Sequence, residues 1–342
     1  MKTQLSWERS PAMRAVAEII DRVADCDAPV LVTGESGVGK EVVARELHRR
    51  SSRAGRPFVK VNCAAVPADL LESEMFGHEK GAFTGAEATT AGKFEAAGDG
   101  TIMLDEIAEI PALLQAKLLH VLDDGRYSKV GGNRELFADA RVIAATNRLL
   151  PERISQRLFR EDLYYRLQVI EIYLPPLRER REEIGYLAEA FLEECCARAG
   201  RPEMKLSRPT IAALEAYDWP GNVRELENVI QRLAILQDET HVLAELRASE
   251  ANRESAALAA AAETADSEPG AVDSEPESLP EQVRKATEAV EREAIERVLG
   301  LTRWNRRRAA EQLGVSYKTL LNKTKALGIE AGSSAPVSDG DT

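Results

Sequence analysis

Cysteine is scarce in this 342-residue chain, with 4 in all: Cys26, Cys63, Cys195 and Cys196. None has C-x-x-C spacing, and the adjacent pair is poorly placed to share a metal. A disulfide framework and a thiolate metal site are therefore excluded, and free thiols in a reducing cytoplasm fit best. Long apolar runs are absent too. No stretch reaches the roughly 18 residues of a membrane span, and Met1 to Glu8 has no apolar core of the signal-peptide kind. Positive charge is in deficit, with 45 Lys and Arg against 57 Asp and Glu and a net charge of −12. Even so, 44% hydrophobic residues support a real core, and the length suits two or three domains.

What is present is organised around Gly34-Glu35-Ser36-Gly37-Val38-Gly39-Lys40-Glu41. The apolar Val30-Leu31-Val32 precedes it, and Val42 to Leu47 follows with helical spacing. A strand, a glycine-rich loop and a helix start are predicted, which is the P-loop context. The glycines let backbone N–H groups wrap phosphate oxygens, the helix dipole faces the same anion, and Lys40 adds a positive charge. Glu41 stands where a Ser or Thr would offer its hydroxyl to Mg²⁺, so metal binding must lean on other groups. The apolar segment Gly100 to Leu104 ends in Asp105 and Glu106. Beside a P-loop, the first acid is placed to hold Mg²⁺ and the second to orient and polarise the attacking water. A nucleotide with Mg²⁺ is the expected ligand.

Further strands are predicted at 58–63, 141–147 and 169–174, and helices at 11–25, 69–76, 111–123 and 159–167. Ser10-Pro11 reads as the cap and first turn of the first helix. This alternation argues an α/β fold with a parallel sheet. Thr146 and Asn147, at a strand's carboxyl end, should face the nucleotide. Beyond Pro175-Pro176 only helices are predicted, at 184–199, 209–217 and 223–236, which makes a small lid. There Asn222 reads as the cap of the helix that carries Arg224. Glycines at 77, 81 and 85 make Gly77 to Ala86 a poor helix interior. Phe83, near the tip of that loop, either folds back into the core or is received by another molecule.

Charge then separates along the chain. Residues 249–280 hold eight acids and one base, a net −7, with few bulky apolar residues, and read as a disordered or partly helical tether. A helix follows at 281–299. Residues 302–330 carry seven bases against two acids, a net +5. Within them, a helix ending at Gly314, a short turn and a second helix capped by Ser316 form a helix-turn-helix pattern. Arg308, Ser316, Tyr317, Lys318, Thr319, Asn322 and Lys323 are its candidate contacts with double-stranded DNA.

Together these residues resemble the NtrC-type bacterial enhancer-binding proteins, the AAA+ activators of sigma-54 RNA polymerase, over roughly residues 6–329. The most specific element is Gly81-Ala82-Phe83-Thr84-Gly85-Ala86, which is similar without substitution to the family's polymerase-contacting loop. A P-loop ending in Glu is also the family's form, although Val38 departs from the commoner Thr. The resemblance implies an AAA+ α/β subdomain at 1–174 and a helical lid at 175–247. An acidic flexible linker at 248–280, a Fis-type helix-turn-helix domain at 281–330 and a disordered tail at 331–342 would follow. It implies that Asp105 holds Mg²⁺-ATP and that Glu106 activates water. Asn62 would restrain Glu106 until the Phe83 loop is engaged. Thr146 and Asn147 would form the first sensor and Arg224 the second. Arg160 and Arg166 would reach across a subunit boundary to a neighbour's γ-phosphate, and Gly131-Gly132 would lie in a second, supporting loop. Sigma-54 RNA polymerase, upstream DNA and a homo-oligomer from dimer to hexameric ring are the implied partners, in the cytoplasm. About ten residues precede the first helix, so control through an attached phosphorylated receiver is not expected, and a separate regulatory protein is an alternative. The competing reading is a nucleotide-sensing DNA-binding regulator without sigma-54 remodelling. The intact Phe83 loop argues against it.

Overall fold

The computed structural model describes residues 9–202, 204–244, 246 and 248, and then 292, 295, 298, 299, 302, 304–312 and 317–326. The chain divides into two compact units, Met1–Ala262 and Glu263–Thr342. The expected tether beyond residue 248, the residue-331–342 tail, Gly314, and Ser316 with its cap lie outside the described residues.

The first unit opens with α1 (Pro11–Val23), β1 (Val30–Thr33), α2 (Lys40–Arg50), β2 (Phe58–Asn62) and α3 (Ala68–Phe76). Next come β3 (Gly77–His78), β4 (Thr90–Ala91), α4 (Lys93–Ala97), β5 (Thr101–Asp105) and α5 (Ala112–Asp124). The sheet part ends with β6 (Arg126–Ser128), β7 (Glu135–Phe137), β8 (Arg141–Thr146), α6 (Leu150–Ser155), α7 (Glu161–Leu167) and β9 (Ile170–Tyr173). Five strands form a parallel sheet in the order β2-β5-β8-β1-β9. Its central strands are apolar on both faces, as a sheet covered on both sides requires. Because side chains alternate along a strand, Val30, Val32, Met103 and Ile143 pack with α1 and α2, whereas Leu31, Ile102, Leu104 and Val142 pack with α3, α5 and α7. The register sets Asn62 beside Asp105, Asp105 beside Ala145, and Thr33 beside Thr146. One edge of the sheet thus gathers the polar strand ends.

Two hairpins leave this layer. The β3–β4 hairpin carries the Phe83 loop, and the β6–β7 hairpin carries Gly131-Gly132. A bridge between His78 and Val130 ties them, with Glu79 N–H donating to the Val130 carbonyl at 3.0 Å.

The lid comprises α8 (Ile184–Ala199), α9 (Arg208–Ala216) and α10 (Asn222–Leu236). They close around Trp219, which is fully buried; its indole N–H donates to the Leu214 carbonyl at 2.7 Å and Tyr217 packs edge-on. Cys195 and Cys196 belong to this core, and all four cysteines are free. Ser10 holds the N-cap position of α1 but makes no cap bond, a departure from expectation. Its hydroxyl lies beside Glu183 instead.

Arg180 and Glu183, both fully buried, join the lid's first turns to the P-loop. Arg180 donates to the Val38 carbonyl at 2.7 Å and sits 3.5 Å from the Glu183 carboxylate. Burial pushes the Glu183 carboxyl up from 4.5 to about 7, against the pull of Arg180. The unfolded chain releases this proton near 4.5, while the folded chain keeps it to about 7. Between those values the folded state binds the extra proton, so this group's contribution to stability falls as pH rises. Urea unfolding at several pH values should show that Glu183→Gln removes this downward slope. An unchanged slope in the variant would refute the assignment.

In the second unit, α11 (Arg306–Gln312) and α12 (Tyr317–Ala326) pack Ala309, Ala310 and Leu320 against Ile295 and Leu299. Arg308, Tyr317 and Thr319 are exposed, whereas Lys323, expected to point outward, is half-buried. The side chains of Lys318 and Asn322 lie outside the described residues.

Candidate active site

The P-loop crosses from β1 to α2 with φ of 144° at Gly34, 79° at Gly37 and 107° at Gly39. At Gly37 a side chain would drive into the Gly221 carbonyl of the lid, so this glycine lets lid and loop meet. Lys40 is buried, and its ammonium is folded onto its own loop, donating to the carbonyls of Gly34 at 2.9 Å and Glu35 at 3.0 Å. Burial draws this amine below the ordinary lysine range, while Glu106 and Asp105 pull it back up. An arriving phosphate would offer the ammonium a charged acceptor in place of two neutral carbonyls.

The lid clasps the same loop. Glu35 accepts a two-pronged bond from Arg178, at 2.6 and 3.0 Å, and a third from the Asn222 amide at 3.0 Å. The Arg178 bond, then the Asn222 bond, lowers the Glu35 carboxyl below its usual range. Asn222 was expected to cap α10. Instead it is the helix's first residue, at φ 55°, and its amide donates also to the Ser36 carbonyl while accepting from the Leu177 N–H at 2.8 Å. It is a bracket between lid and loop. Arg224 lies two residues on, donating to Ser36 Oγ at 3.3 Å.

Asp105 ends β5, and Glu106 turns out of the strand at φ 53°, a left-handed conformation uncommon for a residue with a side chain. Asn62 and Glu106 are not joined. The Asn62 amide oxygen caps the N–H groups of Ala64 and Ala65, at 3.0 and 3.2 Å, while Glu106 Oε2 accepts from the Asn147 N–H at 3.4 Å. The physical reason is local: an Asn at a strand end satisfies the free N–H groups of the turn that follows it. Glu106 opens onto a cleft of about 450 Å³ with Cys63, Asn147 and Arg148. Burial, then the charges of Asp105 and Glu106, pushes the Cys63 thiol up to about 12, so it is no nucleophile. Thr146 is buried, and its hydroxyl accepts from the Arg148 N–H at 3.0 Å. Arg148 and Arg153 both reach Glu109, at 3.3 and 2.9 Å.

Arg160 precedes α7, Arg166 lies in its last turn, and both are exposed. Arg160 forks onto Asp162 at 2.6 and 3.0 Å, and Arg166 bonds the Leu122 carbonyl and Asp123, both at 3.0 Å. Among the described residues neither bonds its own P-loop.

Phe83 does not enter the core. It is 40% exposed, and among the described residues its one ring–ring contact is with His78, edge-on at 5.0 Å. Gly81 and Gly85, at φ 85° and 105°, turn the loop, which is closed by Gly81 N–H on the Ala86 carbonyl at 2.9 Å. Gly131 presses against Ala82, where a side chain would come within 2.7 Å of the Ala82 methyl group. The second hairpin therefore supports the base of the first.

Lys60, Arg178 and Glu109 were not singled out by the motifs. A lysine within the apolar run of β2 and an arginine just after Pro175-Pro176 are the signals that could have marked the first two.

Comparison with known proteins accords with this geometry. The sigma-54 interaction domain matches residues 7–173, the AAA+ ATPase lid domain 178–263, and the bacterial regulatory protein Fis family 286–327. The regulatory protein AtoC of Escherichia coli is 42% identical over 336 residues, which are 95% of this chain and 69% of AtoC. The DNA-binding transcriptional regulator NtrC of Azospirillum brasilense is 43% identical over 333 residues, 94% of this chain and 69% of NtrC. The crystal structure of NtrX from Brucella abortus in complex with ADP superposes with a TM-score of 0.66 at 34% identity, covering 95% of this chain and 70% of that one. Among the described residues no helix is long and apolar enough to cross a membrane. The chain thus belongs to the sigma-54 interaction domain family, as a nucleotide-binding AAA+ ATPase and sigma-54-dependent transcriptional activator with a Fis-type helix-turn-helix.

Proposed function

We propose that this activator works as a ring whose ATP sites are completed by the neighbouring subunit. The observation that carries the reading is the division of the site. The P-loop, Asp105, Glu106, Asn147 and Arg224 gather at one sheet edge and its lid, while Arg160 and Arg166 are exposed and bonded elsewhere. Backbone N–H groups of Gly34 to Glu41 and the Lys40 ammonium bind the phosphates. Glu106 orients water for attack on the γ-phosphorus; the bond to the β-γ bridging oxygen breaks, ADP leaves with those electrons, and the water proton passes to Glu106 or bulk water. Arg160 and Arg166 of an adjacent subunit supply positive charge where the transferring phosphoryl group develops negative charge. Thr146, Asn147 and Arg224 report the γ-phosphate to sheet and lid, and Asn62, bonded here to the turn that follows it, would take hold of Glu106 only in a different position of the Phe83 loop.

Asp105 is a hard oxygen donor already paired with a cation, the Lys60 ammonium at 2.9 Å, so this donor suits Mg²⁺. Mg²⁺ bound with ATP at Asp105 would supply charge neutralisation at the phosphates. Gly81 to Ala86 contact sigma-54, and the second unit contacts upstream DNA through Arg308, Tyr317, Thr319 and Lys323 with Ser316, Lys318 and Asn322. Domain limits near residues 174, 247, 280 and 330, and a cytoplasmic location, belong to the same reading. Light scattering during size-exclusion chromatography should show a hexamer-sized species with a transition-state analogue of ATP. A monomer that hydrolyses ATP at the full rate would overturn the ring.

A further inference from the structure

Lys60 lies on β2, the strand next to the one that ends in Asp105. Its ammonium sits between two carboxylates, 2.7 Å from Glu41 Oε2 and 2.9 Å from Asp105 Oδ2. Glu41 belongs to the first turn of α2, directly after Lys40, and its other oxygen is held by Arg45 at 2.8 Å. Two negative charges are thus matched by two positive ones, and among the described residues Lys60 alone pairs with both acids. If it were removed, Glu41 and Asp105 would face each other across the space of one cation. Paired carboxylates of this kind are hard donors that attract a divalent ion without help from a nucleotide. Two like charges so close also repel, which would draw a cation in or move Asp105 aside.

We propose that Lys60 is a positioning residue that makes divalent-cation binding depend on the nucleotide. Its ammonium occupies the cation's place between Glu41 and Asp105 and keeps Glu41 from serving as a ligand. A metal ion arriving alone would have to displace that ammonium for one carboxylate. A metal ion arriving with ATP brings phosphate oxygens that offset the displacement. On release of products Lys60 returns to Asp105, and the carboxylate stays aimed at the P-loop. The inference rests on Asp105 being the metal ligand.

The test is Mn²⁺ binding to the full chain, read by electron paramagnetic resonance of the free ion with no nucleotide present. Lys60→Met should bind Mn²⁺ at least about tenfold more tightly than the parent chain, because the competing charge is gone. Lys60→Gln, which keeps a polar group at this half-exposed position, should do the same. Adding Glu41→Gln to either should erase the gain. Equal or weaker Mn²⁺ binding in both single variants would overturn the proposal. A parallel measurement keeps the two readings apart: Asp105→Asn should remove the Mg²⁺ dependence of binding of a fluorescent ADP analogue. If that dependence survives, Asp105 is not the ligand. If it is lost while the Lys60 variants match the parent, only the role of Lys60 falls.

Discussion

Phe83→Ala should abolish opening of sigma-54 promoters while leaving ATP turnover within about twofold of the parent. The ring is 40% exposed, belongs to no buried core cluster and, among the described residues, makes its one ring–ring contact with His78, so its loss opens no core cavity. A surface truncation of this kind changes stability by no more than about 0.5 kcal/mol. An aromatic anchor at a protein interface is another matter: its truncation costs roughly 2–4 kcal/mol, or about 30- to 1000-fold. The ATP site is built from other elements, and the loop meets the rest of the chain mainly through its base, at Gly131 and Val130. Permanganate footprinting of the melted promoter, run beside phosphate release, separates the two outcomes. A Phe83→Ala chain that opens promoters normally would remove the loop from the mechanism. Loss of both activities together would place the ring in the structure of the site. A regulator that used ATP only as an allosteric ligand would lose nothing in either assay.

The second large effect concerns the arginines. Glu106→Gln and Arg160→Ala should each lower ATP turnover by about 10³-fold, the lower end of what a missing charge donor costs in phosphoryl transfer. Arg166→Ala should behave like Arg160→Ala. Mixing the two inactive chains is the informative step. A boundary formed by an Arg160→Ala subunit holding ATP and a Glu106→Gln neighbour has an intact Glu106 and an intact arginine. With equal amounts and random assembly, roughly a quarter of boundaries are of this kind, so roughly a quarter of the parent rate should return. If arginine and glutamate acted within one chain, no mixed species could repair the site and the mixture would stay inactive. The exposed positions of Arg160 and Arg166, bonded to Asp162 and to the end of α5, predict recovery.

Short-range spacing carries the elements that recur within a few residues. Gly34 to Glu41 after an apolar run is a strand, a turn and a helix whatever surrounds it, because only glycine accepts φ near 79° and 107° without cost. The alternation of apolar runs with amphipathic helices led to the parallel sheet, since a strand buried on both faces reads as a continuous apolar run. Helix limits moved by a residue or two, as at Arg160, which precedes α7 rather than lying inside it.

Long-range pairing was settled by the tertiary structure. Asn222 suits a cap by residue type, yet it spans 187 residues to reach Glu35, because the lid brings α10 onto the P-loop. Asn62 was matched to Glu106 by resemblance, but in this structure its amide turns to its own following loop, while Glu106, in a left-handed conformation, meets Asn147. Lys60 looks like a stray charge in an apolar strand until sheet register sets its strand beside Asp105 and α2 brings Glu41 within 2.7 Å. The residues along the chain determined which segments turn, pleat or coil, since backbone preference acts over a few bonds. Which charges meet was decided by how strands align and helices pack, and nothing local to Lys60, Asn222 or Glu106 carries that information.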